Sequence, residues 1–257
     1  MASADTILRL EALSKSFGGL QAVRDLSFDV NAGTITSLIG GNGAGKTTAF
    51  NLITGNLVPD SGHIYLRDAR VDGLPPHKVA RAGIARGFQE LRLFNRLSAR
   101  DNVEAAIPNL RGESIIRALI GGRELMDERN AADARANALL DDLTIASQAD
   151  SLAERLSYGQ QKLLSLGRLL AAEGELLLLD EPTSGLSPGM VDDFCTRMRR
   201  LTGNGKTILL IEHNVDIVMR LSDWVVVMHQ GTKIAEGRPE EVRNNVTVMH
   251  TYLGITS

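Results

Sequence analysis

The sequence predicts an α/β protein with a mainly parallel sheet, an antiparallel β layer beside it and a helical subdomain. Continuous apolar runs of strand length suit parallel strands that are buried on both faces, and shorter strand patterns near the N-terminus suit the antiparallel layer. Between residues 90 and 155 helical periodicity replaces the strand patterns. The predicted strands are 175–180, 207–211 and 225–228 in the core and 7–13, 26–30 and 63–67 in the layer.

These patterns indicate one domain, in which a core is interrupted by the helical subdomain. The boundaries are 1–257 for the domain, 1–89 and 156–257 for the core, and about 90–155 for the subdomain. A chain of this length can bury a sizeable core. In the subdomain, the periodicity of residues 131–143 predicts a helix in which Ala134, Ala138 and Leu139 share the packed face.

Charge argues against a nucleic-acid-binding function. The chain has 28 basic and 31 acidic residues and a net charge of −3, so it lacks the basic surface that such proteins need. A group of arginines in the middle of the chain is evenly spread, which favours a solvated or subunit-facing surface. These are Arg81, Arg86, Arg92, Arg96 and Arg100.

Other features of composition suggest a protein of the cytoplasm. Cys195 is the single cysteine, so no internal disulfide can form. No apolar run approaches the length of about 18 residues that a membrane span needs. The first residues, MASADT, do not have the charged-then-apolar layout of a signal peptide.

A glycine-rich loop between a strand and a helix carries the strongest chemical signal. The pattern G-x-x-x-x-G-K-[ST] is met over 40–47, and the residues predicted to contact nucleotide are Gly40, Gly41, Asn42, Gly43, Ala44, Gly45, Lys46, Thr47 and Thr48. Glycines let backbone N–H groups converge on one anion, and the helix predicted at 46–54 directs its positive dipole end to the same point. Lys46 would contact the β- and γ-phosphates, and the hydroxyl of Thr47 would bind Mg²⁺. The loop therefore predicts a nucleoside-triphosphate site, and the flanking strand and helix argue against an ordinary surface loop.

Two acids follow the apolar run that begins at Leu176. At the carboxyl end of a parallel strand, acids lie at the edge of the sheet where α/β proteins bind ligands. Asp180 is expected to hold Mg²⁺ through water, and Glu181 to act as a general base for an attacking water. Without the glycine loop, two solvated carboxylates at a strand exit would be an equally good interpretation.

The segment LSYGQ predicts the start of a helix. Ser157 and Gln160 have the spacing of a capping box, and the helix would continue to Gly174. Together with the bare backbone of Gly159, this helix start could also bind an anion. On physical grounds alone, an ordinary well-capped helix is the better interpretation.

In combination, GGNGAGKTT, LSYGQ and LLLLDEPTSGL resemble the ATP-binding subunits of ABC transporters over nearly the whole chain. The resemblance implies a P-loop NTPase fold that binds ATP and Mg²⁺ and hydrolyses ATP. It makes Gly40–Thr48 the Walker A loop, Leu176–Asp180 the Walker B strand and Glu181 the catalytic glutamate. It also implies that Ser157, Gly159 and Gln160, in the signature motif, bind the γ-phosphate held by a second subunit; Tyr158 stands where the family has glycine.

Three further residues acquire a role from the resemblance. Taken singly, Phe17 suggests packing, Gln89 a loop amide and His213 a structural histidine. In the family, the matching positions stack on adenine, contact Mg²⁺ and the γ-phosphate, and link the γ-phosphate to the catalytic glutamate. We therefore expect Phe17 to bind the base and Gln89 and His213 to act in catalysis.

Two positions depart from the family pattern. Gly41 stands where proline is usual, so the loop is expected to be less rigid before ATP binds. Ser187 stands where aspartate is usual, and it could still cap the helix that Pro188 opens, without a charge for communication between subunits.

The resemblance also implies partners. Two ATPase subunits, identical or different, would enclose two ATP molecules at the cytoplasmic face of the inner membrane. Separate permease chains would span the membrane, and a solute-binding protein would act indirectly. Within the family, several segments resemble the branched-chain (hydrophobic) amino acid importer ATPases: 17–23, 92–94, 156–162, 209–219 and 235–254.

Other functions remain as alternatives. An ABC ATPase for another solute (urea, an amide or an exported lipid) would share every motif. A soluble ABC ATPase that works on DNA or the ribosome usually has two cassettes or a long coiled coil. A small-molecule kinase would need a substrate lid and gives no reason for LSYGQ or His213.

Overall fold

The computed structural model describes residues 5–88, 91–108 and 123–251. The chain divides into two compact units, one formed by Met1–Arg86 with Glu175–Ser257 and the other by Gly87–Gly174. In the described residues, no helix is long and apolar enough to cross a membrane.

The described part of the first unit is built on two sheets. One is antiparallel with the strand order β2-β1-β4-β5, and the other has the order β10-β9-β3-β8-β7-β6. The strands are β1 (Thr6–Phe17), β2 (Leu20–Asn31), β3 (Ile35–Gly40), β4 (Ser61–Leu66), β5 (Ala69–Arg70), β6 (Ile84–Gly87), β7 (Leu176–Asp180), β8 (Thr207–Ile211), β9 (Trp224–His229) and β10 (Thr232–Gly237).

The centre of the second sheet is parallel, as the apolar runs predict. Strand β3 pairs in parallel with β8 and β9, and β7 pairs in parallel with β8. Every residue of β3, β7 and β8 is buried, which explains why these strands lack polar alternation. Because the strands are parallel, Gly40, Asp180 and Ile211 all lie at the same carboxyl edge of the sheet.

All six predicted strands are present, as is the strand expected before the glycine loop, and three further strands were missed: β5, which has only two residues, β6 and β10. β6 has the sequence IARG, which is too short and too polar at its end to give a strand pattern. β10 pairs antiparallel with β9 at the edge of the sheet, and its residues are mostly half-buried. An edge strand of this kind has neither a continuous apolar run nor a clear alternation.

The described helices surround the sheets in the first unit and form the body of the second. They are α1 (Lys46–Ile53), α2 (Pro76–Arg81), α3 (Ala99–Glu104), α4 (Arg123–Asp142), α5 (Tyr158–Ala171), α6 (Pro188–Gly203), α7 (Val215–Leu221), α8 (Pro239–Arg243) and α9 (Val246–Thr251).

Helix α5 belongs to the helical unit, which corrects the boundary expected at residue 156. At Gly167 of α5, an added Cβ would lie 3.0 Å from Leu143 and 3.4 Å from Val103, so the helix packs closely on its neighbours there. In the sequence, α5 directly precedes the core strand β7. In the structure, however, α5 packs against the earlier helices α3 and α4.

The packed face of α4 also differs from the prediction. Ala132, Ala136 and Leu140 are buried, whereas Ala134 and Ala138 are exposed. The helical period was correct and its phase was wrong. Alanines occur on several sides of this helix, so periodicity alone did not decide which side the neighbouring helices cover.

Candidate functional site

The glycine loop has two positions where the backbone excludes any side chain. Gly40 has φ +154°, and a Cβ there would lie 2.2 Å from the carbonyl oxygen of Met228 on β9. Gly45, the N-cap residue of α1, has φ +99°, and a Cβ there would lie 2.3 Å from the carbonyl oxygen of Ala22. These contacts fix the path of the loop between β3 and α1.

Lys46 is the first residue of α1 and its ammonium lies over the loop. Its Nζ donates to the carbonyl oxygens of Gly40 at 2.8 Å and Gly41 at 3.0 Å. Burial lowers the pKa of Lys46, while the charges of Glu181 and Asp180 raise it. The three charged groups therefore share one electrostatic environment at the carboxyl edge of the sheet. The hydroxyl-bearing Thr47 follows on α1 and is exposed.

The carboxylate of Asp180 is held by Arg86, one of the arginines expected on a solvated or subunit-facing surface. Arg86 donates from one terminal nitrogen to Asp180 Oδ2 at 3.1 Å and from the other to Asn51 Oδ1 at 2.6 Å. Its guanidinium also lies 5.6 Å from the centre of the Phe50 ring. For Arg86 the expectation of a solvated or subunit-facing surface is wrong, because β6 lies beside β7 and Arg86 pairs there with Asp180.

Burial raises the pKa of the Asp180 carboxyl, and the positive charge of Arg86 acts in the opposite direction. Only 3% of the Asp180 side chain is exposed. A buried carboxylate needs hydrogen bonds and a counter-charge to stay ionised, and Arg86 supplies both. The sequence gives no signal that identifies Arg86, because β6 is too short to produce a strand pattern.

Glu181 and His213 are in contact, as expected. His213 Nε2 lies 2.8 Å from Glu181 Oε1, and about half of each side chain remains exposed. Glu181 has φ +52°, a left-handed conformation that is uncommon outside glycine. Such conformations cluster at functional sites, where the surrounding structure maintains them.

Phe17 ends β1 and is 45% exposed, so core packing does not account for it. The ammonium of Lys15 lies 5.8 Å from the centre of its ring. The ring is accessible to a ligand, and its stacking on adenine remains a prediction. Gln89, the predicted γ-phosphate contact, lies outside the residues that the structure describes.

The predicted signature residues lie in the helical unit, at the start of α5. The capping box is present: Gln160 N–H donates to Ser157 Oγ at 3.4 Å, and Ser157 N–H donates to Gln160 Oε1 at 2.9 Å. Gly159 is buried, whereas Tyr158 is 50% exposed and has Lys162 Nζ 5.4 Å from its ring centre. The helix start is therefore capped, and Ser157 lies at its tip.

The two departures from the family pattern have different structural outcomes. At Gly41, φ lies outside the left-handed region and a Cβ would meet nothing within 4 Å, so the position tolerates a side chain. Ser187 is the N-cap residue of α6, but its side chain makes no capping hydrogen bond. Ser187 therefore occupies the expected N-cap position, but its hydroxyl does not form the expected capping hydrogen bond.

A cleft of about 510 Å³ lies elsewhere in the first unit. Its lining includes Thr36 and Trp224, which are near the amino ends of β3 and β9, away from the edge that holds Gly40. Within the cleft, Arg9 pairs with Asp29 at 3.2 Å and Lys233 with Glu236 at 2.7 Å. None of the predicted nucleotide-binding residues lines it.

The family profile of ABC transporters matches residues 23–184. The chain belongs to the ABC transporter family. It is an ABC ATPase, which binds nucleotide and hydrolyses ATP, with the α/β P-loop NTPase fold of the family.

Relatives of this ABC ATPase match it over almost its full length. One is the high-affinity branched-chain amino acid transport ATP-binding protein LivG of Salmonella typhimurium, which is 38% identical to this chain. The alignment covers 96% of this chain and 98% of LivG. Another is the high-affinity branched-chain amino acid transport ATP-binding protein BraF of Pseudomonas aeruginosa, which is 37% identical to this chain. The alignment covers 96% of this chain and 98% of BraF. A similar solved structure is the crystal structure of the ADP conformation of an ATP-binding cassette of an ABC transporter, with a TM-score of 0.83 and 33% sequence identity. The superposition covers 97% of this chain and 99% of that cassette.

Proposed function

We propose that the chain is the ATP-hydrolysing subunit of an importer for branched-chain or other hydrophobic amino acids. The observation that supports this most directly is the end-to-end similarity to LivG and BraF, which leaves no large segment of the chain or of the relatives unmatched. The geometry of the nucleotide edge supports the hydrolytic role that such a subunit needs.

The glycine loop would bind the triphosphate. Backbone N–H groups from 40–45 and the start of α1 would hold the β-phosphate, and Lys46 would contact the β- and γ-phosphates. Two of the three ammonium donors already bind the carbonyls of Gly40 and Gly41, which fixes the charge where the phosphates would lie. Phe17 would contribute its exposed ring to the adenine.

The donor set suits Mg²⁺. A threonine hydroxyl and a carboxylate are the hard oxygen ligands that Mg²⁺ prefers, and they come from Thr47 and Asp180, with Gln89 as a further predicted ligand. Within the described ranges no three His, Cys, Asp or Glu side chains form a metal cluster, which fits an ion coordinated largely by phosphate and water. Bound there, Mg²⁺ would neutralise charge on the phosphates.

Glu181 and His213 would carry out the proton transfer. Glu181 would accept the proton of a water as it attacks the γ-phosphorus. His213 would hold the Glu181 carboxylate in place through the 2.8 Å contact and would itself approach the γ-phosphate. Glu181 would act from a left-handed backbone conformation directly after strand β7.

The site would be completed by a second ATPase subunit, whose Ser157, Gly159 and Gln160 face the γ-phosphate. The pair would be peripheral on the cytoplasmic face of the membrane, bound to separately encoded permeases that receive solute from a binding protein. ATP would stabilise the closed pair and hydrolysis would release it, since the γ-phosphate contributes differently to the two states.

Uptake by the reconstituted transporter tests this proposal. The chain is co-expressed with its co-purifying membrane subunits, placed in proteoliposomes and supplied with ATP, binding protein and radiolabelled leucine or urea. We expect ATP-dependent uptake of leucine, no uptake with Glu181→Gln, and no competition by urea. Uptake of urea alone, or co-purification with ribosomes and no membrane protein, would refute the proposal.

A further inference from the structure

The last residue of strand β8 and the two residues that follow it each contact the segment that carries Glu181. The carbonyl oxygen of Ile211 accepts from the N–H of Glu181 at 2.9 Å, and His213 Nε2 contacts Glu181 Oε1 at 2.8 Å. Between them lies Glu212, a residue that the reaction described above does not use. Only 4% of Glu212 is exposed, although it is a glutamate.

The carboxylate of Glu212 joins the two loops through three hydrogen bonds. Its Oε1 accepts from the N–H of Thr183 at 3.1 Å and from the Thr183 hydroxyl. Its Oε2 accepts from the N–H of His213 at 3.1 Å. One oxygen therefore serves the loop that carries Glu181, and the other serves the loop that carries His213.

We propose that Glu212 is a positioning residue for hydrolysis, which holds the Glu181 and His213 loops in the register that brings their side chains together. A carboxylate is well suited to this task because both oxygens accept and neither donates. Buried glutamates are rare unless their oxygens are satisfied. Here the two bonds from Thr183 cross between the loops, and the bond from the N–H of His213 holds the carboxylate against its own loop. Glu212 acts through His213 and Glu181 and does not touch the reacting atoms.

The substitution Glu212→Gln tests the requirement for two acceptors. Glutamine has nearly the same shape but a single acceptor oxygen. If that oxygen faces Thr183, the amide nitrogen opposes the N–H of His213; if it faces His213, the nitrogen opposes the N–H of Thr183. The Thr183 hydroxyl can turn and accept, but a backbone N–H cannot. One of the two loops must therefore lose its backbone hydrogen bond.

We expect Glu212→Gln to lower kcat about tenfold, as the loss of one charge-assisted hydrogen bond in the active geometry would. The Kd for ATP, measured in EDTA with a fluorescent nucleotide analogue, should change less than about twofold. Glu236→Gln makes the same chemical change on β10, away from the nucleotide edge, and should leave both quantities unchanged. An equal loss of kcat and ATP affinity in Glu212→Gln would overturn the proposal.

A double-mutant cycle with His213→Ala distinguishes positioning from independent effects. If Glu212 acts through His213, Glu212→Gln should reduce the single-turnover hydrolysis rate in the wild-type background and have almost no further effect after His213→Ala. Multiplicative losses in the two backgrounds would show that Glu212 does not act through His213, and would refute the proposal.

Substitutions at Thr183 provide a second test that does not depend on the stability of a Glu212 variant. Valine preserves the shape of threonine and removes its hydroxyl, whereas serine preserves the hydroxyl and removes the methyl group. If the hydrogen bond to Glu212 matters, Thr183→Val should lower kcat and Thr183→Ser should remain near wild type. The reverse order would mean that packing alone is important at this site.

Discussion

At the scale of single residues, adjacent glycines of the glycine loop face opposite constraints. Gly40 lies against the Met228 carbonyl with a positive φ, and no side chain fits. Gly41 has open space around it and a φ outside the left-handed region. The backbone path of the loop therefore requires glycine at position 40. At position 41 glycine is not required, and its main effect is to increase the conformational entropy of the unfolded chain.

Gly41→Ala should stabilise the protein. Alanine restricts the unfolded chain without clashing in the folded one, so the free energy of unfolding should rise by about 0.4–1 kcal/mol in urea titrations. ATP binding should be retained. Gly40→Ala serves as the matched control, and we expect it to impair both folding and nucleotide binding. A lower free energy of unfolding in Gly41→Ala would contradict this prediction, because it would mean that the folded loop needs a backbone conformation at Gly41 that only glycine adopts readily.

Arg86 is the residue whose replacement should most affect Asp180. In Arg86→Leu the buried carboxylate loses its counter-charge, and breaking a buried ion pair in this way typically costs about 3–5 kcal/mol. The free energy of unfolding should fall by a similar amount. Arg81→Leu, at an exposed end of α2, should have little effect. Equal stability of the two variants would show that Arg86 does not stabilise the buried carboxylate of Asp180.

At the scale of secondary-structure elements, the sequence predicted which segments are helices or strands better than it predicted their packed faces. Helix α5 starts at the predicted capping box, and α1 begins at Lys46 as the glycine loop requires. Caps and loops are local, so a few adjacent residues specify them. The packed face of α4 depends on α3 and α5, and it was rotated relative to the prediction.

Matched charge substitutions on α4 test the corrected face. Ala136 is completely buried, so Ala136→Asp must bury a carboxylate or force the helix away, and should cost at least about 2 kcal/mol. Ala134→Asp places the same group on the exposed side and should stay within about 0.5 kcal/mol of wild type. Thermal unfolding followed by circular dichroism measures both, and the opposite ranking would restore the original face.

At the scale of the whole molecule, the proposed mechanism needs two chains. Glu181→Gln should bind ATP with normal affinity and hydrolyse it about 10²- to 10⁴-fold more slowly, since the general base is lost. Because the γ-phosphate then persists, an ATP-bound dimer should accumulate on size-exclusion chromatography with light scattering. Normal turnover in this variant would remove Glu181 as the base.

Ser157→Arg tests the shared site from the other side. The bulky cation should prevent closure on the γ-phosphate of a partner, so cooperative hydrolysis should be lost while ATP binding to a single chain is kept. Ser157→Ala is the control for the loss of the cap, because it removes the capping hydroxyl without adding bulk. We expect it to destabilise the helix by about 1 kcal/mol. Cooperative hydrolysis in Ser157→Arg would contradict the proposed dimer.

The parts of this ABC ATPase that the sequence determined are those encoded by neighbouring residues. The glycine spacing, the acids at the end of β7, the capping box of α5 and the apolar strands are patterns of a few positions, and local steric and hydrogen-bonding rules decide them. Together with the family resemblance, they were sufficient to predict the fold, and the nucleotide-binding role of the glycine loop stays a prediction.

The tertiary structure decided which distant side chains meet. Arg86 and Asp180 are 94 residues apart and Thr183 and Glu212 are 29 apart, and each pair is joined only by the packing order of the strands. No local pattern distinguishes an arginine that will be buried beside an aspartate from one that will face water. The free energy that selects these partners comes from burying and pairing their charges, and that depends on the assembled sheet.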